Sequence, residues 1–113
     1  MCTETDIRKI AEEVRNGLSA IFPGKSFEII LFGSYARNEA DAGSDVDLLV
    51  LSDISRSDIT EKSWEIGDMA AGILLDYGVV VSPIVENSEY FRNNILVFPL
   101  FKSIASDGVP LVA

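Results

Sequence analysis

The segment Val46-Asp47-Leu48-Leu49-Val50-Leu51 constrains the fold more than any other stretch of the chain. Side chains alternate between the two faces of a strand. Beyond Asp47 this run is apolar on both faces, so it predicts a strand covered on both sides, in a central position of a sheet. The remaining segments must then supply its neighbours and its cover. Ser26 to Phe32 is rich in β-formers and reads as a second strand, broken by Gly33-Ser34, with Tyr35-Ala36-Arg37 starting one short helical turn. Val79 to Val85 reads as a third strand, and Pro83 within it points to an edge or a bulge.

Helical periodicity supplies the cover. Ile7, Ile10, Ala11, Val14, Leu18 and Ile21 recur at helical spacing after a cap at Thr5 or Asp6, and Pro23-Gly24 ends that helix. Ser55 to Asp58 opens a second long helix with the apolar stripe Ile59, Ile66, Met69, Ala70, Ile73, Leu74 and Tyr77, closed by Gly78. Asn87 or Ser88 caps a short helix, and Ile95 to Ala113 holds a further helix, a turn at Asp107-Gly108 and a short final strand. Helices and strands in this alternation indicate an α/β or α+β layered fold, and 113 residues without repeat or linker read as a single domain, 1–113.

Composition narrows the chemistry. Nine basic against 18 acidic residues give a formal net charge of −9, and histidine is absent. Holding DNA or RNA by its phosphates needs Lys and Arg clusters, so direct binding of a nucleic acid polymer is not expected. An anionic membrane surface is disfavoured on the same ground. Without histidine there is no Ser-His-Asp triad, no Cys-His pair and no usual zinc site. The one cysteine, Cys2, excludes an intramolecular disulfide, and the start of the chain has no apolar leader. No apolar run approaches the roughly 18 residues of a membrane span. These features together predict a soluble cytoplasmic protein, in which carboxylates carry the chemistry.

Two short motifs offer that chemistry. Gly33-Ser34 falls between a strand and a turn. Glycine lets a ligand approach the backbone closely. Free N–H groups at such a turn attract an anion, and the Ser34 hydroxyl can donate to a phosphate oxygen. Alone, Gly-Ser is an ordinary turn pair. Asp45-Val46-Asp47 falls at a strand entrance, where side chains two apart share a face. Two carboxylates so close repel unless a cation lies between them, and Mg²⁺ takes such carboxylates together with substrate phosphates. Alone, Asp-x-Asp is a common pair of solvated strand-boundary aspartates. Ten residues, Tyr35 to Ser44, separate Ser34 from Asp45, so a phosphate cradle and a metal pair would lie on neighbouring strand ends.

The combination resembles the Gly-Ser … Asp-x-Asp signature of the DNA polymerase beta-like nucleotidyltransferase superfamily, and in particular its short branch, the minimal nucleotidyltransferases. The resemblance covers residues 26 to 85, with Gly33, Ser34, Ala36, Arg37, Ser44, Asp45, Asp47 and Leu48 matching the branch pattern. Asn38 stands where the branch commonly has glycine, and asparagine also tolerates a left-handed backbone. The resemblance implies a nucleotidyltransferase-like mixed sheet of three to four strands with flanking helices and an active site at the strand ends. It implies transfer of a nucleoside monophosphate, AMP from Mg-ATP, to a hydroxyl. Gly33 and Ser34 would hold the triphosphate and Asp45 and Asp47 the Mg²⁺. Arg37 would pair with a phosphate, or else with the acids of its own loop.

In one respect the chain departs from the superfamily, which places a third carboxylate on a later strand beside the Asp pair. Gly78 to Val85 contains none, with Asp76 before it and Glu86 after it. Glu39, Asp41 or Glu86 are the candidates to substitute, Glu86 by way of a bulge at Pro83. Otherwise the partner or substrate supplies the missing group, or the domain is a catalytically degraded module that binds nucleotide or partner. The resemblance further implies an antitoxin paired with a small helical toxin of the HEPN class, and the acidic balance suits a basic partner. The run Ile95 to Phe101 is a candidate interface, or else core. The oligomeric state is left open, a homo-oligomer included.

Overall fold

The first helix begins one turn earlier than its apolar stripe suggests. In a computed structural model, which describes residues 2–112, α1 spans Glu4–Ile21 and is capped by Thr3, not by Thr5 or Asp6. The Thr3 hydroxyl accepts from the Asp6 N–H at 3.1 Å, and the Asp6 carboxylate accepts from the Thr3 N–H at 2.9 Å. This reciprocal box satisfies two amide groups that the first turn leaves free. Asp6 is therefore the third helical residue rather than the cap, and these hydrogen bonds hold its carboxyl below the usual range.

Four strands follow: β1, Glu28–Phe32; β2, Val46–Ser52; β3, Val81–Asn87; and β4, Val109–Val112. Their order in the sheet is β3-β2-β1-β4. β2 pairs antiparallel with β1 and parallel with β3, and β1 pairs antiparallel with β4. The sheet is mixed and β2 is interior, as its two-sided apolarity requires. Val46, Leu48, Leu49 and Val50 are fully buried. Pro83 and Pro110 lie on the two outer strands, where a missing N–H is tolerated.

Each face of the sheet has its own core. α1 and α4 (Ser63–Tyr77) cover Ile29, Leu31, Val46, Leu48, Val50, Val81 and Val85. The opposite face, with Leu49 and Leu51, packs on Phe91 of α5 (Ser88–Asn93) and on Phe101 and Ile104 of α6 (Pro99–Asp107). α4 lies tightly on α1: a Cβ at Gly17 would fall 2.4 Å from the Met69 Cγ. A short α2, Gly33–Ala36, follows β1 directly.

Two further expectations are corrected, and the reading of Ile95 to Phe101, left open, is divided. The second long helix is two helices, α3 (Arg56–Glu61) and α4, which meet at Lys62 with φ −99° and ψ 13°. The Thr60 hydroxyl donates to the Arg56 carbonyl and the Ser63 hydroxyl to the Thr60 carbonyl, and such bonds compete with the helix ladder. Of the predicted stripe, Ile66 and Ile73 are buried, whereas Leu74 and Tyr77 are exposed. The third strand runs two residues later than predicted, because its register against β2 pairs Val46 with Val81 and Ser52 with Asn87. Glu86 is thus within the strand, not after it. The run Ile95 to Phe101 is core only at its ends. Phe101 is buried and Ile95 half-buried, while Leu96, Val97, Phe98 and Leu100 are exposed. No helix among the described residues is long and apolar enough to cross a membrane.

Candidate active site

β1 and β2 run antiparallel, so the end of β1 meets the start of β2, and the register sets Phe32 opposite Asp47. The residue after Phe32 is Gly33, whose φ of +74° lies in the left-handed region. A side chain there is doubly excluded. The backbone shape is one that L-residues resist, and a Cβ would stand only 2.3 Å from the Asp47 Oδ2. The strand-to-helix turn therefore presses its bare backbone against the carboxylate of Asp47. Ser34 follows in the first turn of α2, on the same strand end.

The loop from Arg37 to Ser44 is organised by its own side chains. Asn38 takes φ +59°, the left-handed backbone that its residue type permits. Glu39 N–H donates to the Ser34 carbonyl at 2.9 Å. The Asp41 carboxylate accepts from the Gly43 N–H and the Ser44 hydroxyl at 2.9 and 3.2 Å, which closes a tight turn. That turn delivers the chain to Asp45. Val46 then bonds through its N–H to the Val80 carbonyl at 2.9 Å, which ties the start of β2 to the segment before β3.

The electrostatics follow from this placement. Burial holds the Asp47 carboxyl above its usual range, the Asp45 charge adds to this, and Arg37 opposes both. Asp47 is half-buried and Asp45 exposed beside it, so negative charge is concentrated at this strand end, and a hard cation is its natural complement. Arg37 Nε donates to Glu39 Oε1 at 3.3 Å, in an exposed pair. Such a pair is weak and readily exchanged. A cleft of about 530 Å³ opens beside Asp45. Asp6, Tyr35, Ser44, Tyr77 and Val80 line it, but Gly33, Ser34 and Asp47 do not. Tyr35, whose hydroxyl accepts from the Cys2 N–H at 3.0 Å, and Tyr77 reach this cleft from separate helices. Only the folded chain brings them together, so no local pattern in the sequence singles them out.

The three acids considered as substitutes for a third carboxylate are engaged elsewhere. Glu39 pairs with Arg37, and Asp41 shapes the loop. Glu86 lies four residues along β3 from Ser82, the residue opposite Asp47, or about 13 Å away at the rise of a strand. The parallel pairing is continuous through Pro83, so no bulge redirects Glu86. It instead accepts from Arg56 Nε at 2.9 Å, and the Arg56 guanidinium lies 3.8 Å from the centre of the Tyr90 ring. The strand neighbours of Asp47 are Phe32 and Ser82. Among the described residues no group of three or more His, Cys, Asp or Glu is placed to share a metal ion. The residues present fit one divalent cation between two carboxylates.

Residues 9–111 match the family model described as a nucleotidyltransferase domain. The chain is 37% identical over 87 residues to "Putative protein adenylyltransferase MJ0604" of Methanocaldococcus jannaschii, covering 77% of this chain and 80% of that protein. A second protein of the same organism and description, MJ0141, is 35% identical over 80 residues, covering 71% of this chain and 79% of its own length. A third, MJ1305, is 33% identical over 82 residues, covering 73% of this chain and 56% of its own length. The mixed four-stranded sheet, the glycine turn packed on Asp47 and these matches lead to one assignment: the chain belongs to the nucleotidyltransferase domain family, as a minimal nucleotidyltransferase.

Proposed function

We propose that this domain transfers AMP from Mg-ATP to a hydroxyl on a partner protein, and that it serves as the antitoxin of a small helical HEPN-type toxin. The observation that carries the chemistry is the contact between the Gly33 backbone and the Asp47 carboxylate, with Asp45 beside it. Asp45 and Asp47 would hold Mg²⁺. When bound, the cation neutralises phosphate charge and polarises the phosphoryl group. The Gly33-Ser34 turn cradles the triphosphate, because only a residue without a Cβ lets phosphate, backbone and carboxylate meet at one point. Arg37 leaves its exposed partner Glu39 to take a phosphate oxygen, a better match for its fork of donors. The cleft beside Asp45 leaves room for substrate against that carboxylate. A protein acceptor is supported by the relatives' names, which describe protein adenylyltransferases. It is also supported by the exposed Leu96, Val97 and Leu100 on the sheet face that carries Asp47. A net charge of −9 suits a basic partner.

A second reading rests on Ser82. With a hydroxyl rather than a carboxylate beside Asp47, the domain would bind nucleotide and partner and neutralise by contact with little transfer. Intact-mass measurement separates the two. The protein is incubated with Mg-ATP and the product of its neighbouring gene, and both chains are weighed. Transfer adds one nucleotidyl group to the partner, and Asp45→Ala/Asp47→Ala abolishes the gain. An unchanged partner mass in a complex that survives the double substitution favours the contact reading.

A further inference from the structure

α4 is apolar on two opposite sides, and the fold uses only one of them. Ile66 and Ile73 face the core. On the far side, Trp64, Gly67, Ala71 and Leu75 recur at intervals of three and four residues and form one seam along the helix. Trp64 is 84% exposed and Leu75 86%. A surface helix ordinarily carries one apolar stripe, toward the core, with polar residues opposite.

Gly67 deepens the anomaly. Glycine in a helix interior costs about 0.5–1 kcal/mol relative to alanine. At Gly17 a close helix contact accounts for it, but a Cβ built at Gly67 meets nothing within 4 Å. No packing inside the molecule requires this glycine. It leaves a shallow gap in the seam between two large exposed side chains, where another backbone can approach.

The charges name the occupant. Asp68 borders the seam, with Glu65 and Asp76 further round on the same side, and α4 contains no basic residue. A second copy would bring its own three carboxylates against these, in a chain already at −9. We propose that the outer face of α4 is a docking seam for an amphipathic helix of a partner protein, with an apolar stripe flanked by Lys or Arg. This mode anchors a helix through residues at three- and four-residue spacing. It stands apart from the nucleotide reading, since α4 lies on the sheet face opposite Asp47.

Trp64 is the only tryptophan, so its emission reports the seam directly. The probes are two synthetic helical peptides with one leucine stripe, flanked by Lys in the first and by Glu in the second. The Lys-flanked peptide should give a saturable blue shift of Trp64 emission, and the Glu-flanked peptide none. Gly67→Leu keeps the fold, because the position is open, and adds apolar surface, yet it should weaken binding at least about tenfold by filling the gap. Circular dichroism verifies that this variant is folded. Four results overturn the proposal: no shift with either peptide, equal shifts with both, undiminished binding by Gly67→Leu, or a concentration-dependent shift of the protein alone at the sedimenting mass of a dimer.

Discussion

β2 and β3 carry a carboxylate near each end of their shared ladder, and the two are treated in opposite ways. Glu86 is buried, accepts from the Arg56 guanidinium and from the Asn87 N–H, and has the Tyr90 ring stacked on its partner. Asp47, four rungs away, is partly desolvated next to another aspartate, with a glycine turn pressed against it. One end holds an acid satisfied within the chain. At the other, the Arg37 charge offsets burial and the Asp45 charge only in part. A perturbed carboxylate at a strand end is a functional-site candidate, and the contrast separates Asp47 from an acid that the fold itself satisfies.

The largest expected effect breaks the unsatisfied end. Gly33→Ala places a methyl on Asp47 and forces an alanine into a left-handed turn. Transfer activity should fall at least about a hundredfold, as misplacements of an ångström do, in a protein that still folds by circular dichroism. Ser82→Asp sharpens the same end by adding a carboxylate next to Asp47. It should add a second divalent site, seen as a raised Mn²⁺ stoichiometry by calorimetry, and increase transfer about tenfold or more.

The satisfied end should respond in stability instead. Arg56→Ala leaves Glu86 buried without its cation and should cost about 1–2 kcal/mol in denaturant unfolding. Transfer per folded molecule should be unchanged. The smallest effect is a gain. In metal-free protein, the raised Asp47 pKa means that the folded state binds its proton more tightly than the unfolded state. Stability attributable to this group is therefore fully present below the ordinary aspartate range and declines as pH rises through the raised one. Asp47→Asn should raise the neutral-pH melting temperature slightly and flatten that decline, while it removes cation binding.

The two ends also differ in how far they can be read from the sequence. Gly33-Ser34 and Asp45-Val46-Asp47 are local patterns, and a strand places Asp47 where its neighbours predict. β2 declares its interior position by being apolar on both faces. The other end depends on register. Whether Glu86 lies inside or beyond β3 is settled by which residue meets Val46, and the choice of Val81 over Val79 is a long-range pairing. The break at Lys62 is hidden for a different reason, since an apolar stripe keeps its period across a one-residue kink. Exposure of Leu96 to Leu100 is likewise invisible locally, because apolar composition alone does not tell core from interface.

Asp45 and Asp47 are proposed to hold a divalent cation for a nucleotide seated on the Gly33-Ser34 turn. Calorimetric titration of Mg-ATP into the wild type, Asp45→Asn/Asp47→Asn and Glu86→Gln tests it in one series. Saturable, Mg²⁺-dependent binding is expected, abolished by the double substitution and left intact by Glu86→Gln. Equal binding by the wild type and the double variant, or binding unaffected by removal of Mg²⁺, would contradict it.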